Sequence, residues 1–420
     1  MRARPTARGW GLLAAGVVLV QIGLGLGAVD LVRLGLLPVV VVVAAFVVVS
    51  LRDPARSRHR LAVTRDVVPN PVHAHEQLHV AVRIRARDRS ARTRLSGLRF
   101  SEQAAAELSG GQALRARVTR ELDTVTVSYG VQAARRGRWP VGPLVVTHGD
   151  VFGTVRTTAL LGEQAEVAVW PTVVPLPAPN DVLVGEPDRV ALGARSPSTD
   201  DAALRDYREG DDLRRVHWRS SARRGDLVVR SDERAGMRPV SVLMDLPMRG
   251  ASLEWTISLA ASMALAMLES GHPVRWLGSS TTRAAATISA PGLSFVHARS
   301  DSARARLLDE TIDLQAAGSA FEAEEQLLGA THLLENTDAG GEIVLAVLGP
   351  LGARGQQALA HVADTAQGWA MVRTDGTSPQ AAREAEATIR ALRRAGWRAC
   401  GVTPGEDVMR CWLRLLGSAR

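Results

Sequence analysis

The chain is 420 residues long, carries 51 basic against 43 acidic residues, and is 46% hydrophobic. That length holds two or three domains with cores of their own. Every basic residue is arginine, which excludes a P-loop lysine, a Schiff-base lysine and a kinase-type lysine.

Residues 1–60 hold two apolar runs, Gly9 to Val29 and Leu34 to Leu51. Each has roughly the 20 apolar residues that a membrane-spanning helix needs. Only Asp30 and Arg33 are charged between them, so the pair predicts a tight helical hairpin. A cleaved signal peptide is the alternative for the first run, and the immediate arrival of the second run weighs against it. Arg2, Arg4 and Arg8 precede the hairpin; Arg52, Arg56, Arg58 and Arg60 follow it. The positive-inside rule then puts both ends, and everything after residue 60, on the cytoplasmic side of the inner or plasma membrane. Gly23, Gly25 and Gly27 are expected to let the second helix approach the first. The two cysteines, Cys400 and Cys411, are too few for a disulfide framework and fit a reducing compartment.

Residues 61–178 read as strands. Leu78, Val80, Val82, Ile84 and Ala86 alternate with Gln77, His79, Arg83 and Arg85, and Val125, Val127, Tyr129 and Val131 repeat the period of two. With Leu144–Val146 and Val167–Trp170 they predict a β-rich, sandwich-like domain. His73, His75 and His79 share strand parity, as metal ligands would. They oppose the apolar face, and a solvated face is the better reading. Residues 179–203, rich in Pro, Asp, Gly and Ser, read as a linker.

Residues 204–236 contain the densest pattern in the chain. Between Arg205 and Arg230 stand eight arginines and five acids. Asp212 suits a helix N-cap, Leu213, Val216, His217 and Ser220 share a face, and Gly225 suits the left-handed end; Leu227 to Arg230 then reads as a strand. One reading is an internal ion-pair lattice, in which Asp206, Glu209, Asp211 and Asp212 meet neighbouring arginines and Trp218 anchors the helix. Another is a protein-docking face, because Trp, Tyr and Arg dominate binding hot spots. Nucleic-acid binding is disfavoured, since the interleaved acids repel phosphates. Ser220 and Ser221 lie near His217, but no acid stands ready to orient the imidazole, so no catalytic residue is assigned.

From residue 237 to 420 strands and helices alternate. Strands are expected at Val240–Met244, Pro273–Leu277, Ile343–Leu348, Trp369–Arg373 and Ala399–Val402. Helices are expected at Leu253–Leu268, within Ala303–Glu335, and at Gln356–Val362, Ala381–Arg394 and Val408–Leu416. The alternation implies a mainly parallel sheet with helices on both faces, whose ligands would sit at the carboxyl ends of the strands. Asp245 stands there. Gly349, Gly352 and Gly355 follow a strand and precede a helix, but their spacing is that of an ordinary loop rather than a phosphate cradle. No cofactor is expected.

The run Arg205-Asp206-Tyr207-Arg208-Glu209-Gly210-Asp211-Asp212 through Trp218-Arg219-Ser220-Ser221-Ala222-Arg223-Arg224 closely resembles the signature of the bacterial domain-of-unknown-function family fifty-eight. The positions that carry it are Arg205, Tyr207, Gly210, Asp211, Asp212, Arg214, Arg215, Trp218, Ser221, Ala222 and Arg223. Arg135-Arg136-Gly137 and Asp150-Val151-Phe152-Gly153 resemble two further segments of that family, with Val151 in place of the usual proline. The resemblance implies a two-helix anchor, a β-rich segment, the signature, and a von Willebrand factor A-like α/β (Rossmann-type) domain. In such domains the first strand ends in Asp-x-Ser-x-Ser, which holds a divalent cation; here the positions are Asp245, Pro247 and Arg249. Proline offers no ligand and arginine repels a cation, so Asp245 is only a remnant and no metal is expected. The resemblance further implies a non-enzymatic membrane adaptor or scaffold. Its expected partners are a MoxR-type AAA+ ATPase and other membrane proteins of the same system. The alternative is a hydrolase or nucleotide-binding enzyme using the sheet's carboxyl edge near Asp245.

Overall fold

Gly27 divides the apolar N-terminus. Helix α1 (Ala7–Leu26) ends at Gly27 in the left-handed region, φ 69°, where the lack of a Cβ removes the steric cost, and α2 (Val29–Leu51) begins two residues later. Both helices are long and apolar enough to cross a membrane. The glycines that bring them together differ from those expected. A Cβ on Gly16 would lie 2.7 Å from the Gly35 carbonyl oxygen, and one on Gly23 2.8 Å from Val32 Cγ2, whereas Gly25 and Gly27 face open space. Gly16, Gly23 and Gly35 therefore form the contact, and Gly27 serves the turn.

In this computed structural model the described residues are 3–51, 60–95, 97–112, 114–177, 204–206, 221, 228–230, 238–247, 250–278, 295–297, 301–335, 341–374 and 378–417. The expected linker, 179–203, lies outside them. The chain divides into two units, Met1–Thr172 and Val173–Arg420, so the helical hairpin belongs with the β-rich segment.

In the first unit, β2 (Leu61–Val68), β4 (Gln77–Ala86), β7 (Thr124–Gln132) and β6 (Arg117–Arg120) form an antiparallel sheet in the order β2-β4-β7-β6. The register pairs Val80 with Tyr129, Val82 with Val127 and Ile84 with Val125, which puts the apolar set on one face. A second sheet has the order β1-β10-β9-β5, formed by Arg4–Pro5, Val155–Leu161, Leu144–Gly149 and Arg99–Ser101. The third, β3-β11-β8, is formed by Val72–His73, Ala165–Trp170 and Gly137–Val141, and its β3–β11 pair is parallel. Val80, Val82, Ile84 and Val127 share one core with Val141, Leu144, Val146, Leu161, Val167 and Val169. Each such side chain contributes about 1.5–3 kcal/mol by leaving water.

The three histidines do not line one strand. His73 is in β3, with its ring 5.2 Å from that of Trp170 and Nδ1 2.8 Å from the Pro171 oxygen. His75 sits outside any strand at φ 70°, and His79 is in β4. Strand parity misled because a turn separates His73 from His79.

The second unit is built on an all-parallel sheet. Strands β14 (Val240–Met244), β15 (Val274–Leu277), β16 (Ile343–Leu348), β17 (Gln367–Arg373) and β18 (Arg398–Val402) take the order β15-β14-β16-β17-β18. Strands β14, β15 and β16 are buried along their whole length, and β16 accordingly reads as a continuous apolar run, while β14 and β15 each carry one buried polar residue, Ser241 and Arg275. The helices are α5 (Ala251–Glu269), α6 (Asp301–Ile312), α7 (Ala320–Glu335), α8 (Ala353–Thr365), α9 (Pro379–Arg394) and α10 (Val408–Gly417); the shorter α3 (Arg89–Leu95) and α4 (Ala106–Ser109) belong to the first unit. Ser378 caps α9 by accepting from the Ala381 N–H, with Pro379 in its first turn, a sequence signal for a helix start. Two shorter strands, β12 (Leu204–Asp206) and β13 (Val228–Arg230), pair antiparallel.

Candidate functional site

The order of the parallel sheet creates a switch point. From β14 the chain passes to β15 on one side, and from β16 to β17 on the other, so the connections diverge beyond the carboxyl ends of β14 and β16. Asp245 follows β14, and Gly349 follows β16. The Asp245 N–H donates to the Val347 carbonyl at 3.0 Å, and the Gly349 N–H donates to Asp245 Oδ2 at 2.8 Å. Arg373, the last residue of β17, completes the arrangement. One terminal nitrogen donates to the Asp245 backbone oxygen and the other stands 3.7 Å from Oδ2. The Arg373 side chain is 1% exposed and that of Asp245 17%.

A cleft of about 740 Å³ opens beside this pair, bordered by Ser252, Glu324, Thr374 and Thr403 among others. The nearby glycine loop is engaged by the protein itself. Leu351 N–H donates to Thr388 Oγ1 at 3.0 Å, and Gly352, which caps α8, faces Glu324 of α7. Arg354 in turn lies 3.7 Å from Glu324 and 3.1 Å from Glu325. Gly355 allows α8 to approach α7, since a Cβ there would meet Leu327 at 3.3 Å.

Chemically, Asp245 stands against the Arg373 guanidinium. Its carboxylate is tied inward, and the buried Pro247 adds no oxygen ligand. Arg249 lies outside the described residues. Among the described residues no group of three or more His, Cys, Asp or Glu is placed to hold a metal ion. The sequence pointed to Asp245 but not to Arg373. The available signal was an arginine ending an otherwise apolar strand, Trp369-Ala370-Met371-Val372-Arg373, at the edge where ligands gather.

The opposite edge of the sheet holds a second polar cluster. Arg275 Nη2 meets both Glu342 oxygens, at 3.1 and 3.0 Å, and Arg275 Nε donates to Ser241 Oγ at 2.6 Å. Ser241 also donates to Glu342 Oε1, and Arg275 lies over the Phe295 ring at 4.5 Å. All three polar side chains are buried and mutually satisfied, which suits a structural joint rather than a reactive site.

Of the signature residues, Arg205 lies in β12 and Ser221 is helical and buried. Tyr207, Gly210, Asp211, Asp212, Arg214, Arg215, Trp218, Ala222 and Arg223 lie outside the described residues, as do His217 and Ser220. What the structure adds is the frame. The pairing Leu204 with Arg230, Arg205 with Val229 and Asp206 with Val228 brings the two ends of the signature together.

The family model described as "Protein of unknown function DUF58" matches residues 203–285. The chain carries a DUF58 segment. That segment opens one residue before β12 and runs through β13, β14, α5 and β15, so it takes in the signature and Asp245 alike. No curated protein matches the chain. Among solved structures, the GspB Siglec domain is similar over 28% of this chain at 12% identity and a TM-score of 0.16; the chain spans 64% of that domain's length. The PilB minor pilin from Streptococcus sanguinis is similar over 76% of this chain and 86% of its own length, at 9% identity and a TM-score of 0.30. A mutant of the same pilin, with one aspartate changed to alanine, gives the same coverage with a TM-score of 0.28.

Proposed function

We propose that this protein is a membrane-anchored adaptor, with α1 and α2 crossing the bilayer and both soluble units in the cytoplasm. The α/β unit is read as von Willebrand factor A-like, with the cation of its usual site replaced by Arg373. The observation that carries the anchor is the outer surface of the hairpin. Leu24, Leu26, Val29, Leu34 and Leu37 all stand exposed on helices of 20 and 23 residues, a surface that water disfavours and lipid tails accept. The positive-inside argument supports the orientation. Non-catalytic work is supported by the state of Asp245, whose carboxylate is engaged by Gly349 and Arg373 rather than left for substrate.

The partner proposed from the resemblance is a MoxR-type AAA+ ATPase, with the signature arginines and Trp218 as its docking face. Membranes containing this protein are expected to recruit such an ATPase. Recruitment that persists after Arg214, Arg215 and Trp218 are all changed to Ala would contradict docking through the signature. The cleft beside Asp245 supports a second reading, a hydrolase or nucleotide-binding enzyme. Nucleotide binding or ester turnover by the purified full chain that is lost in Asp245→Asn would establish it over the adaptor.

A further inference from the structure

The first unit carries an apolar turn with no counterpart in its core. Between β9 and β10 the chain turns through Asp150-Val151-Phe152-Gly153, and Val151 is 95% exposed and Phe152 64%. The turn is stiffly built. Asp150 accepts from the Phe152 N–H at 3.0 Å, the Val155 N–H at 2.7 Å and Thr154 Oγ1 at 3.0 Å. Burial opposes ionisation of Asp150, but the donors from Val155, Thr154 and Phe152 outweigh it and hold the carboxyl below its usual range. The acid of this turn is thus engaged internally, and only the two apolar side chains are presented outward.

The position of the turn is fixed relative to α1. Strand β1 pairs Arg4 with Arg156 and Pro5 with Val155, antiparallel, so the chain advances along β10 toward its turn before entering α1. Thr6, the N-cap of α1, donates its hydroxyl to the Gly153 carbonyl at 2.7 Å and its N–H to the Thr154 carbonyl at 2.8 Å. Gly9 is packed against the Thr154 carbonyl so closely that a Cβ could not fit. Val155 is buried with Val42, Ala45 and Val49 of α2. The turn that carries Val151 and Phe152 is therefore held beside the first turn of α1, and Val155 beside the last turns of α2. Arg4 in β1, Arg8 and Trp10 in the first turns of α1, and Arg156 in β10 are all exposed.

We infer that the Val151–Phe152 turn is a wedge inserted into the membrane interface next to the hairpin, with Arg4, Arg8 and Arg156 at the level of anionic lipid headgroups. The wedge rests on the reading that α1 and α2 span the bilayer. Its occupant is lipid because the turn is bonded to the first turn of α1, whose exposed side chains are largely apolar, and because the exposed arginines and Trp10 of these same elements match the headgroup layer in chemistry. The wedge and β1 together would fix the height and tilt of the β-rich unit on the membrane, which a flexible tether would leave free.

The test uses the full chain with Phe152→Cys or, separately, Val17→Cys in mid-α1, each labelled with the fluorophore NBD. The protein is reconstituted in vesicles of phosphatidylcholine and phosphatidylglycerol. The wedge predicts blue-shifted emission at position 152 and quenching by shallow spin-labelled lipid, at a depth of about 5–10 Å below the headgroups. It also predicts that omitting phosphatidylglycerol weakens quenching at 152 and not at 17. Quenching at 17 by deep spin labels, with none at 152, would overturn the wedge and leave the spanning helices standing. Absence of quenching at both positions would overturn both. A 152 label shielded only when a second protein is added would mean a protein occupant and would equally overturn it.

Discussion

Replacing Arg373 by Met tests whether this side chain is the counterion of Asp245. The substitution keeps most of the buried volume while removing the donors to the Asp245 carbonyl and carboxylate. At 3.7 Å and an effective dielectric of about 20, the direct attraction is about 4.5 kcal/mol. Breaking a buried pair costs about 3–5 kcal/mol, and the partial exposure of Asp245 places this one near the lower end. A loss of about 3 kcal/mol corresponds to faster opening of the sheet edge by roughly a hundredfold. Hydrogen exchange on the full chain in detergent reads it locally, in peptides covering β14, β16 and β17. The double variant Asp245→Asn/Arg373→Met removes the orphaned charge and is expected to recover about half of the loss. Less than threefold acceleration in Arg373→Met, or no recovery in the double variant, would refute the counterion assignment.

Three further outcomes follow from charge and packing. Burial raises Glu310 from its ordinary 4.5 to about 7, with Arg306 opposing. A carboxyl whose folded pKa is raised costs stability increasingly as pH climbs from 4.5 to 7, and fully above that. Glu310→Gln should therefore stabilise α6 at pH 8, by about 1–2 kcal/mol after allowance for its partial exposure, and little at pH 4; exchange rates in α6 at the two pH values check it. Burial pushes the Cys400 and Cys411 thiols up to about 11 and about 12, the latter also through Glu406. Neither should react with iodoacetamide at neutral pH until the protein is unfolded, as mass spectrometry will show. Gly35→Val should force the hairpin apart, because its Cβ would lie 2.8 Å from the Gly16 carbonyl, at a cost of about 1–3 kcal/mol. Gly25→Val, into open space, should be neutral, and spin-label distances between the helices separate the two cases.

Much of the α/β unit was legible because its signals are local. The expected strands Val240–Met244 and Ile343–Leu348 are found with the same bounds, and the other helices and strands of that unit differ by a few residues at their ends. The buried strand β16 announced itself as an apolar run, and β14 and β15 as short, mostly apolar segments. Long-range arrangements were not legible in this way. Nothing in Arg4-Pro5 signals a strand, because its partner, Arg156-Val155, lies some 150 residues away and supplies the hydrogen bonds. Which glycines join the hairpin was misread for a related reason. Gly23, Gly25 and Gly27 recur every second residue, but a helix turns about 100° per residue, so Gly25 points away while Gly16 and Gly23 share a face. Arg373 escaped notice because an arginine ending a strand is ordinary until the sheet order sets it beside β14.

The absence of lysine also looks different once the buried arginines are placed. Arg65 lies 2.8 Å from Glu102, Arg275 grips both oxygens of Glu342 along with Ser241, and Arg373 serves the backbone and carboxylate of Asp245. Both Arg275 and Arg373 present two nitrogens of one rigid plane to acceptors in fixed directions. An ammonium gathers its three donors on one nitrogen at the end of a flexible stem and cannot hold two of them apart in a fixed plane, as these acceptors are placed to meet. At these positions the geometry itself favours arginine. Each of these three arginines is matched by an acid, so the pairs leave the formal charge of +8 unchanged, and the excess is carried by arginines outside them.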